Sequence, residues 1–166
     1  MKMKFKQRSI KISMVSAILA GTIGLSSASF ATTFTVSTSV DEACTISATD
    51  MDFGVYETTV AIPTQETSTI TLTCTSGTNG TVKISQGGTG ISDSNESTPM
   101  REMANGADTL RYSLSTTASG TEWGNTTETG KSFTGSESIT VFGEIAAGLA
   151  VVAGNYSDTV TVSIAY

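Results

Sequence analysis

Apolar and polar residues alternate with period two along most of this chain, in short stretches separated by Gly, Asn and Ser-rich turns. That period places alternate side chains on one face of a β-strand, and β-branched Val, Ile and Thr suit a half-buried pleated surface. Phe34, Val36, Thr38 and Val40 share one face of a first strand, and Cys44 and Ile46 begin a second. Phe53-Gly54-Val55-Tyr56 reads as a third short strand. Residues 68–75 alternate cleanly, with Ile70, Leu72 and Cys74 together. Asn79-Gly80 signals a two-residue hairpin ahead of Val82 and Ile84. Leu110, Tyr112 and Leu114 mark another strand, as do Ile139 and Val141. Residues 87–106 and 119–135 read as long connections, and 145–153 fits a short helix or a buried loop. Tyr156, Asp158, Val160, Val162, Ile164 and Tyr166 close the sequence at strict period two. Strands this short and this frequent predict an antiparallel β-sandwich.

The N-terminus departs from that pattern. Lys2, Lys4, Lys6, Arg8 and Lys11 precede an apolar run over 12–25 and a small-residue stretch over 26–31. A basic region, an apolar run too short to span a bilayer and a small-x-small site make a secretory signal peptide, residues 1–31. Cleavage falls after Ala31, or after Ala28 as second choice. The 135 residues that remain keep four of the nine basic side chains against all fifteen acidic ones, a net charge of −11. This length supports one domain. Its acidity opposes binding to nucleic acid or anionic membranes.

The sequence contains no histidine, which removes the commonest general base and metal ligand. Asp50, Asp52, Asp93 and Glu96 resemble calcium-loop fragments without a complete loop pattern. No pair of carboxylates is set apart in an aromatic cleft. The residues therefore predict no enzyme, catalytic residue, metal, cofactor or small-molecule substrate. Trp123, inside a polar connection, fits a core anchor better than a sugar platform. Cys44 and Cys74, an even count in an exported chain, predict one disulfide worth about 3–4 kcal/mol by loop closure.

The strand count raises a structural problem. About six strands lie from the first cysteine onward, whereas an immunoglobulin-like sandwich has about seven. A missing last strand leaves unpaired backbone and exposed core. The leader, 33–40, has the pattern to fill such a gap. It can fold back on its own domain, or insert into another copy by strand addition.

The ordered residue set resembles the spore coat protein U domain family, which includes subunits of archaic chaperone–usher pili. The resemblance rests on Cys44-Thr45-Ile46, Phe53-Gly54-Val55-Tyr56, Leu72-Thr73-Cys74, Met100-Arg101-Glu102-Met103, Leu110-Arg111-Tyr112, Phe142-Gly143-Glu144-Ile145 and the closing alternation from Gly154 to Tyr166. One departure is Ala146-Ala147-Gly148-Leu149, where the family pattern is closer to P-x-G-Q. The resemblance implies an incomplete immunoglobulin-like sandwich over 43–166, completed by donor strand complementation, with a donor extension over 32–42. It implies Phe34, Val36, Thr38 and Val40 as the donor side chains, Thr38 being a departure from a fully apolar donor. It places the pairing edge for chaperone or donor at Val160, Val162, Ile164 and Tyr166. The implied partners are copies of the chain itself in a head-to-tail polymer, a periplasmic chaperone and an outer-membrane usher. The implied function is a structural pilin, exported through the periplasm to a cell-surface fimbrium that serves adhesion and biofilm formation. Alternatives are a spore-coat or surface-layer protein built on the same domain, or a self-contained secreted binding module.

Overall fold

A computed structural model of the chain describes residues 29–88, 91 and 94–166. Most of the expected signal peptide lies outside the described residues. The chain divides into two units, Met1–Thr38 and Ser39–Tyr166. In the first, residues 29–38 carry no strand, and Phe34 and Val36 are exposed. The strand expected over 33–40 therefore does not form in the single chain. A strand exists only as part of a ladder, and none is present there.

The second unit is an all-β sandwich of eight described strands. They are β1 (Cys44–Ala48), β2 (Thr64–Cys74), β3 (Asn79–Ile84), β4 (Arg101–Asn105), β5 (Asp108–Ser115), β6 (Lys131–Thr134), β7 (Ser138–Ile145) and β8 (Val162–Ala165). Five form one sheet in the order β1-β2-β7-β5-β4, and three form the other in the order β6-β3-β8. All of these ladders are antiparallel. Cys44 and Cys74 face each other across β1 and β2 and are joined by a disulfide.

The period-two positions make the core. Ile70, Leu72, Leu114, Ile139 and Val141 of the large sheet pack against Val82, Ile84 and Phe133 of the small one. Three sequence expectations are corrected. Asn79-Gly80 is not a hairpin turn, because β2 and β3 belong to different sheets and residues 75–78 make the corner. Gly80 is instead a close-approach position: a Cβ there would stand 2.2 Å from the Ala165 carbonyl oxygen and 2.8 Å from the Phe133 ring. The connections at 87–106 and 119–135 contain β4 and β6. Phe53-Gly54-Val55-Tyr56 is not a strand.

Arg101 ties the sheets together. It leaves β4 1% exposed and donates through Nη2 to the carbonyls of Ile84 (3.0 Å) and Trp123 (2.7 Å), and through Nε to Ser85 (2.9 Å). Nη1 pairs with Glu122, whose carboxylate also accepts from Leu114 N. Burial pushes the Glu122 carboxyl up despite the guanidinium beside it. Trp123, also 1% exposed, donates from Nε1 to Val82 O (2.9 Å) and anchors its loop in the core.

A second tie joins Tyr112 of β5 to the C-terminal run, its hydroxyl donating to Asp158 Oδ2 at 2.6 Å. Burial, then this hydrogen bond, raises the Tyr112 phenol far above its ordinary value of 10.0.

Arg101→Met should lower the unfolding free energy by about 3–5 kcal/mol, because it strands a partly buried carboxylate and three carbonyls. Urea unfolding of residues 32–166 measures this, and a loss under about 1 kcal/mol would contradict the assignment. Tyr112 sets an alkaline limit. Above its ordinary value the unfolded chain releases the phenolic proton while the folded chain holds it, so stability falls as pH rises. The expected slope is about 1.4 kcal/mol per pH unit, absent in Tyr112→Phe. Unfolding series at alkaline pH on both proteins compare the slopes.

Candidate strand-acceptor groove

The C-terminal run crosses from one sheet to the other. Ser157 makes a two-bond bridge with Ala104 of β4, and residues 161–165 then pair with β3. The bond from Ser85 N to Thr161 O (2.9 Å) fixes the parity of that ladder. Bonding residues alternate in an antiparallel pair, so 161, 163 and 165 bond to β3. The amides and carbonyls of Val160, Val162 and Ile164 face the other way, toward the outer edge. Their side chains point inward and are half-buried against the core. Tyr166, in the same register, is 55% exposed.

β1 repeats this arrangement. Bonds from Thr75 N to Ala43 O (2.8 Å) and from Thr49 N to Thr69 O (3.0 Å) assign the odd residues to β2. The backbone groups of Cys44, Ile46 and Ala48 face outward, and the Cys44 and Ile46 side chains pack on the core. Among the described residues no strand pairs with the outer edge of β1 or of β8. Some Cα atoms of the two strands approach within 8 Å without forming a ladder.

The space between the two edges opens into the sandwich. A cavity of about 360 Å³ is walled by 48–51 and Phe53 on one side and by 158–160 and Val162 on the other. Its floor is Ile70, Val141, Leu114 and Tyr112 of the large sheet. A second space of about 600 Å³ shares Met51, Phe53 and Met103 with it and continues between 52–58 and 151–156. Together they form one groove open along the sandwich.

Local chemistry holds its far wall in place. Phe53 packs edge-on against Tyr112, with ring centroids 6.3 Å apart. Gly143 of β7 admits Met51 and Phe53, since a Cβ there would lie 2.2 Å from Met51 Sδ and 2.7 Å from the Phe53 ring. Asp52 Oδ1 accepts from Gly54 N (2.8 Å), which closes a local turn. The Tyr56 hydroxyl donates to Ala146 O and accepts from Leu149 N, both at 2.8 Å. That clamp gives 146–149 its conformation, and 145–153 contains no helix.

Val160, Val162 and Ile164 share one parity and pack against the core, Val160 and Val162 also lining the 360 Å³ cavity, and Tyr166 follows them. Phe34, Val36 and Val40 are 86%, 82% and 78% exposed. The Tyr112–Asp158 pair in the groove was missed by alternation alone, although Asp158 interrupts the apolar half of the closing pattern and so carried a signal.

Residues 30–163 match the spore coat protein U domain. Among solved structures, the fold is similar to a chain in the CsuC–CsuE chaperone–tip adhesion subunit pre-assembly complex, from archaic chaperone–usher Csu pili of Acinetobacter baumannii. The identity is 24% and the TM-score 0.50, over 76% of this chain and 40% of that one. This chain therefore spans less than half the length of that relative. No curated protein matches. The fold is an incomplete immunoglobulin-like sandwich, and the chain belongs to the spore coat protein U domain family.

Proposed function

We propose that this chain is a structural subunit of an archaic chaperone–usher pilus, exported through the periplasm and polymerised at the cell surface by donor strand exchange. The observation that carries the reading is the groove between β1 and β8, with outward-facing backbone groups along both edges and apolar side chains between them. One added strand satisfies both needs, through main-chain bonds to the edge and alternate side chains in the cavity. Phe34, Val36, Thr38 and Val40 have the required alternation. A periplasmic chaperone lends such a strand first, along Val160, Val162, Ile164 and Tyr166, and the leader of the next copy replaces it at an outer-membrane usher. The fibre then serves attachment and biofilm formation.

For a donor that runs antiparallel to β8, chain direction argues for another copy over a self-contained module. β1 runs from the disulfide pole toward the 49–58 wall, whereas β8 runs back toward the corner at 75–78. A donor antiparallel to β8 therefore runs parallel to β1. A strand placed parallel and close to the strand that follows it in sequence needs a crossover of a dozen or more residues. Only Asp41, Glu42 and Ala43 separate Val40 from Cys44. Three residues reach about 10 Å, too short to return along a seven-residue strand of about 23 Å. Donation to a neighbour is heterologous, so it extends into a filament.

Purified mature protein should assemble into ladders that survive unheated SDS. Val36→Asp should abolish the ladders while leaving co-purification with the periplasmic chaperone unchanged, because it places a carboxylate in the donated strand and leaves the groove intact. Ladders in the variant would remove the leader from the donor role, and loss of chaperone binding would place Val36 in the subunit's own fold.

A further inference from the structure

Thr38 breaks the apolar series of the leader, and Asp158 breaks the apolar series of the groove wall. We infer that the two breaks are partners, and that the hydroxyl of Thr38 from a second copy of this chain seats on Asp158 and sets the register of the donated strand. The inference rests on the donor-strand reading above.

Asp158 lines the 360 Å³ cavity beside Tyr112. Its Oδ1 accepts from Gly88 N (2.8 Å) and from Thr159 N (2.7 Å), and its Oδ2 accepts from the Tyr112 hydroxyl (2.6 Å). A carboxylate oxygen takes two donors, so Oδ2 keeps capacity for one more. With the groove open, water can supply that donor. A strand laid over the groove displaces water, and an apolar residue opposite Asp158 would leave the capacity unfilled in a dry site. A hydroxyl there fills it.

Parity limits the choices. Residues directly opposite on antiparallel strands point their side chains to the same face, and a slip of one residue would turn the donor's apolar side outward. The donor can therefore shift only in steps of two. One setting places Thr38 opposite Asp158, with Val36 opposite Val160, Phe34 opposite Val162 and Val40 opposite Tyr156. The next setting along puts Val40 against the carboxylate, and the one before it puts Val36 there. Only the first matches both apolar residues and the single polar one. It also brings Val40 to the end of the groove, where the short connector 41–43 must emerge.

Exposed positions test this without disturbing the core. Residues 37, 157, 159 and 161 all have exposed side chains of the outward parity. The proposed register sets Ser37 of one copy opposite Thr159 of the next, a non-hydrogen-bonded pair with Cα atoms about 4.5 Å apart, which suits a disulfide. Ser37→Cys is combined in turn with Ser157→Cys, Thr159→Cys and Thr161→Cys, and the assembled fibres are oxidised and boiled in SDS without reductant. A covalent ladder from the Ser37/Thr159 pair alone is expected. Cross-linking through Ser157 or Thr161 instead overturns the register while leaving donor exchange standing. No cross-link in any pair, with SDS-resistant ladders still present in unheated samples, also overturns it. Loss of the unheated ladders in the parent protein would remove donor exchange itself, and this inference with it.

The hydroxyl has its own test. Thr38→Val keeps shape and removes the donor, and its ladders should dissociate roughly tenfold faster on warming in SDS, while Thr38→Ser ladders stay close to the parent rate. Equal rates for the Val variant and the parent would mean that Thr38 does not bond to Asp158.

Discussion

Backbone amides and carbonyls along an open edge must be paired or hydrated, and in this sandwich two such edges face each other across exposed core. The outward groups of β8 and of β1 belong to residues whose side chains point inward. Any strand that satisfies the backbone therefore also meets the apolar floor. The two demands have one solution, and the groove cannot be quieted by surface charge alone. The rest of the architecture braces the sandwich around that gap.

Three ties brace the sandwich from different directions. The disulfide fixes the start of β1 to the end of β2, at one end of the groove. The Tyr56 hydroxyl, bonded to Ala146 and Leu149, fixes the wall at the other end. Between them Arg101 spans the sheets, satisfying carbonyls at the end of β3 and on the Trp123 loop. A hydrophobic side chain at Arg101 would pack but could not terminate those carbonyls. The guanidinium's bonds to the Ile84 and Ser85 carbonyls tie β4 to the end of β3 and so specify sheet separation. That specification matters more in a sandwich lacking a strand, because the missing strand cannot set the spacing.

Much of this was legible in the sequence wherever one physical rule acted alone. Period-two alternation gave Ile70, Leu72, Val82, Ile84, Leu114 and Val141 as core, and they are buried. Two cysteines in a chain expected to be exported predicted the disulfide that joins them. Alternation failed where tertiary contact overrode it. Met100-Arg101-Glu102-Met103 reads as a polar connection because its key residue is a charge, yet Arg101 is buried through hydrogen bonds that no local pattern announces. Phe133 of β6 sits between Thr and Ser in a Gly-rich stretch, and only the facing strand β3 reveals it as core. Asn79-Gly80 has the chemistry of a hairpin turn, but Gly80 is required by the approach of Ala165 and Phe133. Gly143 likewise looks like a strand weakness and is the seat for Met51 and Phe53. The inward side of Val160, Val162 and Ile164 follows from alternation, while the pairing of Asp158 with Tyr112 depends on a strand 46 residues away in sequence.

The same parity that makes the groove also restricts what can fill it. Because β8 presents its even residues, an incoming antiparallel strand bonds to that edge through the residues whose side chains point inward. Backbone pairing and pocket filling are then one event, and a strand with the wrong period fails both together. Apolar side chains alone would distinguish a strand in phase from one out of phase, but not one setting from another two residues along. A polar position within the apolar run breaks that degeneracy, because a misplaced carboxylate in a dry groove costs more than a misplaced methyl. Asp158 is held by Gly88, Thr159 and Tyr112, so it cannot turn away to accommodate a shifted partner. For a donated strand, a groove of valines and isoleucines would thus supply attraction without position, and one fixed carboxylate would supply position.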